Sequence, residues 1–118
     1  MKRAALYLNH IKECIQRIER YCSGGKAAFD SDTQIQDSVA RVLQILSEST
    51  THLPDELRSR YPNVDWRSIR AFRNVLVHDY LRIDLKTVWD IVEFDIPLLK
   101  AAIEKMLSDP NSGEQECK

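Results

Sequence analysis

Residues 73–80 read RNVLVHDY and set Arg73, His78 and Tyr80 close together in the chain. A histidine titrates near neutral pH and moves protons in catalysis, typically for about 10²–10⁴-fold in rate. An arginine stays charged, and its fork matches two phosphate oxygens, so it suits a phosphorane whose charge grows in the transition state. RNA carries its own nucleophile, the 2′-hydroxyl beside each phosphate. Together these groups suit RNA cleavage through a 2′,3′-cyclic phosphate. No paired carboxylates stand with histidine at metal-ligand spacing, so the expected route uses no metal or other cofactor. Asp79, next to His78, is a candidate to orient the imidazole.

Helical spacing complicates the pair. Five residues advance an ideal helix by about 500°, so Arg73 and His78 would stand about 140° apart, whereas Asn74 and His78 share a face. Two arrangements bring the pair to one ligand. Either the helix loosens near His78, or the motif lies beside a two-fold axis and two copies converge in one cleft.

The motif follows a run of arginines. Arg58, Arg60, Arg67, Arg70 and Arg73 face one acid, Asp65, and no lysine occurs between Lys26 and Lys86. From Asp84 onward eight acids outnumber four bases, so a net charge of -1 hides a strong asymmetry. Guanidinium groups suit planar, bidentate contact with phosphate, which makes Arg67, Arg70 and Arg82 candidate RNA-phosphate contacts. The competing reading for each is an ion pair with an acid on a neighbouring helix.

These groups need a scaffold. A length of 118 residues with 43% hydrophobic and 30% charged content is that of one globular domain. Three glycines and four prolines are too few for a many-turned β sandwich. No apolar run approaches a membrane span, and MKRAALYLNHIKEC lacks a signal-peptide hydrophobic region, so the reading is a cytoplasmic protein without membrane contact. Cys14, Cys22 and Cys117 show no CxxC spacing; Cys14 and Cys22 read as packing residues.

Helical periodicity runs through most of the chain. Ala4, Leu8, Ile11, Ile15, Ile18 and Cys22 form one stripe over residues 3–22, stopped by Ser23-Gly24-Gly25. Asp30, Ser31 and Asp32 offer caps for a second helix to about Thr50, with Ile35, Val39, Val42, Leu43 and Leu46 inward. Pro54 and Pro62 break a connection that leaves room for a helical turn in DELRSRY. Asp65 caps a third helix with a seam of Trp66, Ile69, Phe72 and Leu76. A break at residues 80–83 precedes a fourth helix, capped by Asp84, running to about Leu107 and kinked by Pro97. Its buried face is Leu85, Val88, Val92, Leu99, Ile103 and Met106.

The expected fold is therefore all-α, an antiparallel up-and-down bundle of four to five helices over residues 1–107, with a flexible polar tail over 108–118. Trp89, Ile91, Phe94, Ile96 and Leu98 fall off the main stripe of the fourth helix. A small bundle cannot easily bury two faces of one helix, so the surplus apolar face suggests a second copy, a homodimer.

Arg73, His78 and Tyr80 spell R-x(4)-H-x-Y, which resembles the signature of HEPN-domain ribonucleases, above all the HepT toxin branch. The surrounding DWRSIRAFRNVLVHDY and the helix opening IDLKTVWDIV resemble that branch too, and the similarity covers about residues 3–107. The resemblance implies a HEPN-like homodimer with the motif in the dimer cleft, Arg73 and His78 as catalytic pair and Asn74 as polar companion. It also implies a type VII-like toxin–antitoxin pair. The partner would be an MNT-type nucleotidyltransferase antitoxin that uses ATP and Mg²⁺ to adenylylate Tyr80 and silence the ribonuclease. Arg82 departs from the pattern, standing where relatives often have glycine, and adds a phosphate contact or alters how Tyr80 is presented.

Blander readings stand beside these. Without the motif, His78 reads as a helix-end residue and Tyr80 as a packed ring. His10 and His52 read as structural, and Trp66 and Trp89 as core or interface rather than base-stacking platforms. The competing function is a non-catalytic HEPN module whose arginines hold a nucleotide or a partner protein.

Overall fold

The computed structural model describes the backbone of residues 2–78 and 84–109, and the side chains of residues 4–72 and 84–109. The described residues form α1 (Lys2–Tyr21), α2 (Gly25–Ser31), α3 (Thr33–Thr50), α4 (Asp55–Ser59), α5 (Trp66–His78), α6 (Leu85–Asp90), a π-turn (Ile91–Asp95) and α7 (Ile96–Ser108). No strand occurs among them. α1 packs between α3 and α7, and α3 between α1 and α5, which is the all-α bundle the periodicity predicts. α1 runs antiparallel to α3: in its first half His10 Nδ1 lies 2.9 Å from Ser49 Oγ at the end of α3, and Tyr7 stacks on His52, just beyond that end, at 4.5 Å. The polar tail expected over 108–118 lies outside the described residues from residue 110 onward.

Side-chain caps set the starts of α3, α5 and α6. Asp32 accepts from the N–H groups of Gln34 (2.9 Å) and Ile35, and so satisfies donors that the first turn of α3 leaves free. Asp84 does the same for α6, taking the Thr87 N–H and hydroxyl at 3.2 and 2.8 Å, and these two donors hold its carboxyl below the usual carboxylate range. The stripes read from periodicity form the core: Leu8, Ile11, Ile15 and Ile18 of α1 meet Val39, Val42, Leu43 and Leu46 of α3. Cys14 is buried with them, and burial pushes its thiol up, so it packs as an uncharged side chain.

Two features depart from the expected elements. Residues 25–31, expected to be connection, form α2, which Gly25 enters at φ +86°, a left-handed conformation that only glycine adopts without strain. A single apolar anchor gives no period to read, yet Phe29 is fully buried, 5.3 Å from the ring of Trp89, and the Gln36 amide donates to the Phe29 and Asp30 carbonyls.

The second is the π-turn inside the fourth long helix. The Ile96 N–H donates to the Ile91 carbonyl five residues back, so one extra residue enters the turn ahead of Pro97. Pro97 then lies in the first turn of α7, where a missing donor is least costly. The extra residue also rotates the register. Ile91 and Ile96, expected on a surplus outer face, are core residues, and Phe94 (62% exposed) and Leu98 (45%) are what remains outside. Trp89 is half-buried against Phe29.

Candidate functional site

The helix that carries the motif is anchored at both its start and its inner face. The Asp65 carboxylate accepts the hydroxyl of Ser68 at 2.7 Å and its N–H at 3.0 Å, and these donors, with Arg67 nearby, hold the carboxyl below the usual range. Trp66 donates its indole N–H to the Tyr61 carbonyl at 3.1 Å, which ties the first turn of α5 to the segment after α4. Ile69 and Phe72 are buried against α3. With these two inside, helical phase puts Arg67, Arg70 and Ala71 on the opposite face, and all three are exposed.

The backbone is helical through His78, so α5 does not loosen before the histidine. Asn74 and His78 occupy register positions on the same outer face as Arg67, while the Arg73 position stands about 140° from that of His78. Asp79, Tyr80 and Arg82 lie outside the described residues, and for Arg73, Asn74 and His78 the description extends to the helical backbone.

The arginine run divides in two. Arg58 is ion-paired with Asp55, and Arg60 bonds Glu56 at 3.1 Å, each three or four residues apart along α4. For these two the ion-pair reading is the correct one, with the acids on the same helix rather than a neighbouring one. Among the described residues Arg67 and Arg70 have no hydrogen-bonded or ion-paired acid. Two guanidinium groups of the run are therefore presented to solvent on the motif's own helix.

The remaining chemistry-bearing groups do not assemble into a second reactive cluster. His10 and His52 have companions that sequence reading missed, Ser49 and Tyr7, but Ser49 is buried and the contacts join α1 to α3. Among the described residues no three His, Cys, Asp or Glu side chains gather closely enough to hold a metal ion. No described helix is long and apolar enough to cross a membrane. The π-turn carries Asp95, whose carboxyl is pushed up by burial and further by the nearby Asp65 and Asp90.

Against known proteins, the model of the family described as "Ribonuclease HepT-like" matches residues 11–106. A Methanocaldococcus jannaschii protein, named as a gamma-glutamylcyclotransferase and, provisionally, an RNase, is 35% identical over 109 residues. That match covers 92% of this chain and 49% of the relative, so the chain spans about half the length of that protein. A "Probable ribonuclease HepT" of Thermococcus cleftensis is 32% identical over 103 residues, covering 85% of this chain and 92% of the relative. A provisionally named RNase of Caldanaerobacter subterraneus subsp. tengcongensis is 31% identical over 108 residues, 91% of this chain and 96% of the relative. No solved structure matches the chain significantly.

Proposed function

The chain belongs to the HepT-like ribonuclease family, and from that premise we propose that it is a metal-independent endoribonuclease toxin acting through Arg73 and His78. In this reading a 2′-hydroxyl attacks the adjacent phosphorus as its proton leaves to a base, the bond from phosphorus to the 5′-oxygen breaks, and that oxygen takes up a proton. His78 moves these protons and Arg73 holds the phosphorane oxygens. The products are a 2′,3′-cyclic phosphate and a 5′-hydroxyl, and RNA supplies the nucleophile itself, so no cofactor is needed. Asn74 is the polar companion of the pair, and Asp79 orients the imidazole. Arg67, Arg70 and Arg82 hold flanking phosphates.

The observation that carries this reading is the exposed face of α5, where Arg67 and Arg70 have no ion-paired acid among the described residues. Arg67 and Arg70 lead along the helix toward the family's motif, with Asn74 and His78 at register positions on the same side. Because α5 is helical through His78, the Arg73 and His78 positions of one chain diverge by about 140°. That divergence favours the two-fold arrangement, in which a homodimer brings Arg73 of one copy to His78 of the other. The exposed Phe94 and Leu98 supply apolar surface for such a pairing.

Control of the toxin falls to an MNT-type nucleotidyltransferase antitoxin, which uses ATP and Mg²⁺ to adenylylate Tyr80. An attached AMP sets a phosphodiester charge and a base beside Arg73, where substrate phosphate would sit.

The test is brief induction of wild type and His78→Ala in cells, with RNA 5′ ends mapped alongside growth. Wild type should arrest growth and create new 5′-hydroxyl ends, and His78→Ala should do neither. Equal cleavage by both proteins sinks the assignment.

A further inference from the structure

Between α4 and the first turn of α5 lies an open cleft of about 610 Å³, lined by Arg58, Ser59, Asn63, Trp66 and Arg67 together with Asp55 and Asp65. Its size is within the range of ligand sites, about 300–1,000 Å³. Its two acids already have donors: Asp55 takes Arg58, and Asp65 takes Ser68. The Trp66 indole N–H is likewise engaged by the Tyr61 carbonyl, so what the half-buried ring still offers is apolar surface. Asn63 is exposed and brings an amide with both donors and an acceptor. Arg67, which lines the cleft near Asp65 and has no hydrogen-bonded or ion-paired acid among the described residues, is exposed beside it.

An aromatic surface, an amide and an exposed guanidinium are what one nucleotide requires: a stacking partner for the base, a hydrogen-bonding edge, and a counter-charge for the phosphate. The cleft also continues into the helix that bears the motif. From Arg67 to Arg73 is six residues, about 9 Å along the helix axis, or roughly two to three nucleotides of a stacked strand at about 3.4 Å each. Arg70 stands exposed between them.

We propose that this cleft is a second RNA subsite, in which Trp66 and Asn63 take the base of a nucleotide two to three steps from the scissile linkage while Arg67 and Arg70 track the intervening phosphates. The proposal rests on the ribonuclease reading for the direction of the strand, but the cleft's own chemistry defines its ligand. It makes the enzyme a reader of single-stranded RNA several nucleotides long rather than of an isolated phosphodiester.

The test uses 2′-O-methyl oligonucleotides, which bind as RNA does and offer no nucleophile for cleavage. Fluorescence anisotropy follows a dinucleotide, a tetranucleotide and an octanucleotide on the full chain, and tryptophan emission is read in parallel. For wild type, affinity should rise steeply from dinucleotide to octanucleotide, with emission quenched as a base stacks. Arg67→Glu should weaken octanucleotide binding by about tenfold and lower the salt slope by about one, the signature of a lost phosphate contact. Trp66→Phe, which keeps a ring, should lose the quench.

Three results overturn the subsite: Arg67→Glu binding the octanucleotide as wild type does, the quench surviving in Trp66→Phe, or free AMP competing as well as the octanucleotide. Failure of the ribonuclease reading looks different. There, binding keeps its dependence on length and on Arg67 while ordinary RNA stays uncut.

Discussion

Ile96 donates its backbone N–H to the Ile91 carbonyl, and both side chains are buried. That single five-residue turn decides which part of the last long helix reaches solvent. Ile91 follows buried Val88 by three residues and Ile96 precedes buried Leu99 by three, so the inserted residue joins two regular segments that each keep an isoleucine in the core and leave Phe94 and Leu98 outside.

The exposed pair should hold two copies together. Leu98→Asp places a charge on that surface at a position already open to solvent, so the fold should persist while the assembly does not. Light scattering after gel filtration should give twice the chain mass for wild type and the single mass for the variant. A Leu98→Asp protein that remains dimeric rules out this surface as the interface.

Complementation separates the two arrangements of the motif. If Arg73 of one copy meets His78 of the other, Arg73→Ala and His78→Ala chains are each inactive alone but form one intact site when paired. Unfolding and refolding the two together should restore about a quarter of wild-type RNA cleavage, since half the dimers are mixed and each has one complete site of two. A mixture as inactive as its components would place both groups on the same chain.

Tyr80 should accept AMP. Incubation with an MNT-type nucleotidyltransferase, ATP and Mg²⁺ should add one or more AMP units by intact mass and suppress cleavage, and Tyr80→Phe should gain no mass. Unchanged mass in wild type beside a demonstrably active transferase excludes this control.

Asp95 should make stability depend on pH. Its folded-state carboxyl is raised, first by burial and then by Asp65 and Asp90, so folding favours the protonated form. The penalty is fully present above the folded value and fades as pH falls toward the unfolded value, about 3.9. Asp95→Asn should therefore raise Tm at pH 7, with the gain over wild type shrinking as the buffer is taken toward pH 4. A gain independent of pH would assign the effect to packing instead of charge.

Much of the scaffold was legible in the residues alone because its causes are local. Apolar spacing fixes the inner faces of α1, α3 and α5, and the carboxylates of Asp32, Asp65 and Asp84 take donors only two to three residues away, so the order of residues nearly dictates those helix starts. The motif at residues 73–80 and the arginine run before it were equally visible; Arg67, Arg70, Arg73, Asn74 and His78 belong to α5, whereas Arg58 and Arg60 belong to α4 and its end.

Tertiary structure decided what depends on distant partners. α2 exists because Phe29 finds Trp89, sixty residues further on. The π-turn exists where the core can take both Ile91 and Ile96, a choice that no period reveals. Arg67 and Arg70 are exposed because burial of Ile69 and Phe72 against α3 turns their side of α5 outward, whereas Arg58 and Arg60 are engaged locally by acids three and four residues earlier. Only folding placed Trp66 against the segment after α4 and so opened a cleft beside the motif's helix. Hydrogen bonds and ion pairs within one turn are settled by neighbours in the chain; burial is settled by whichever groups the packed core brings near.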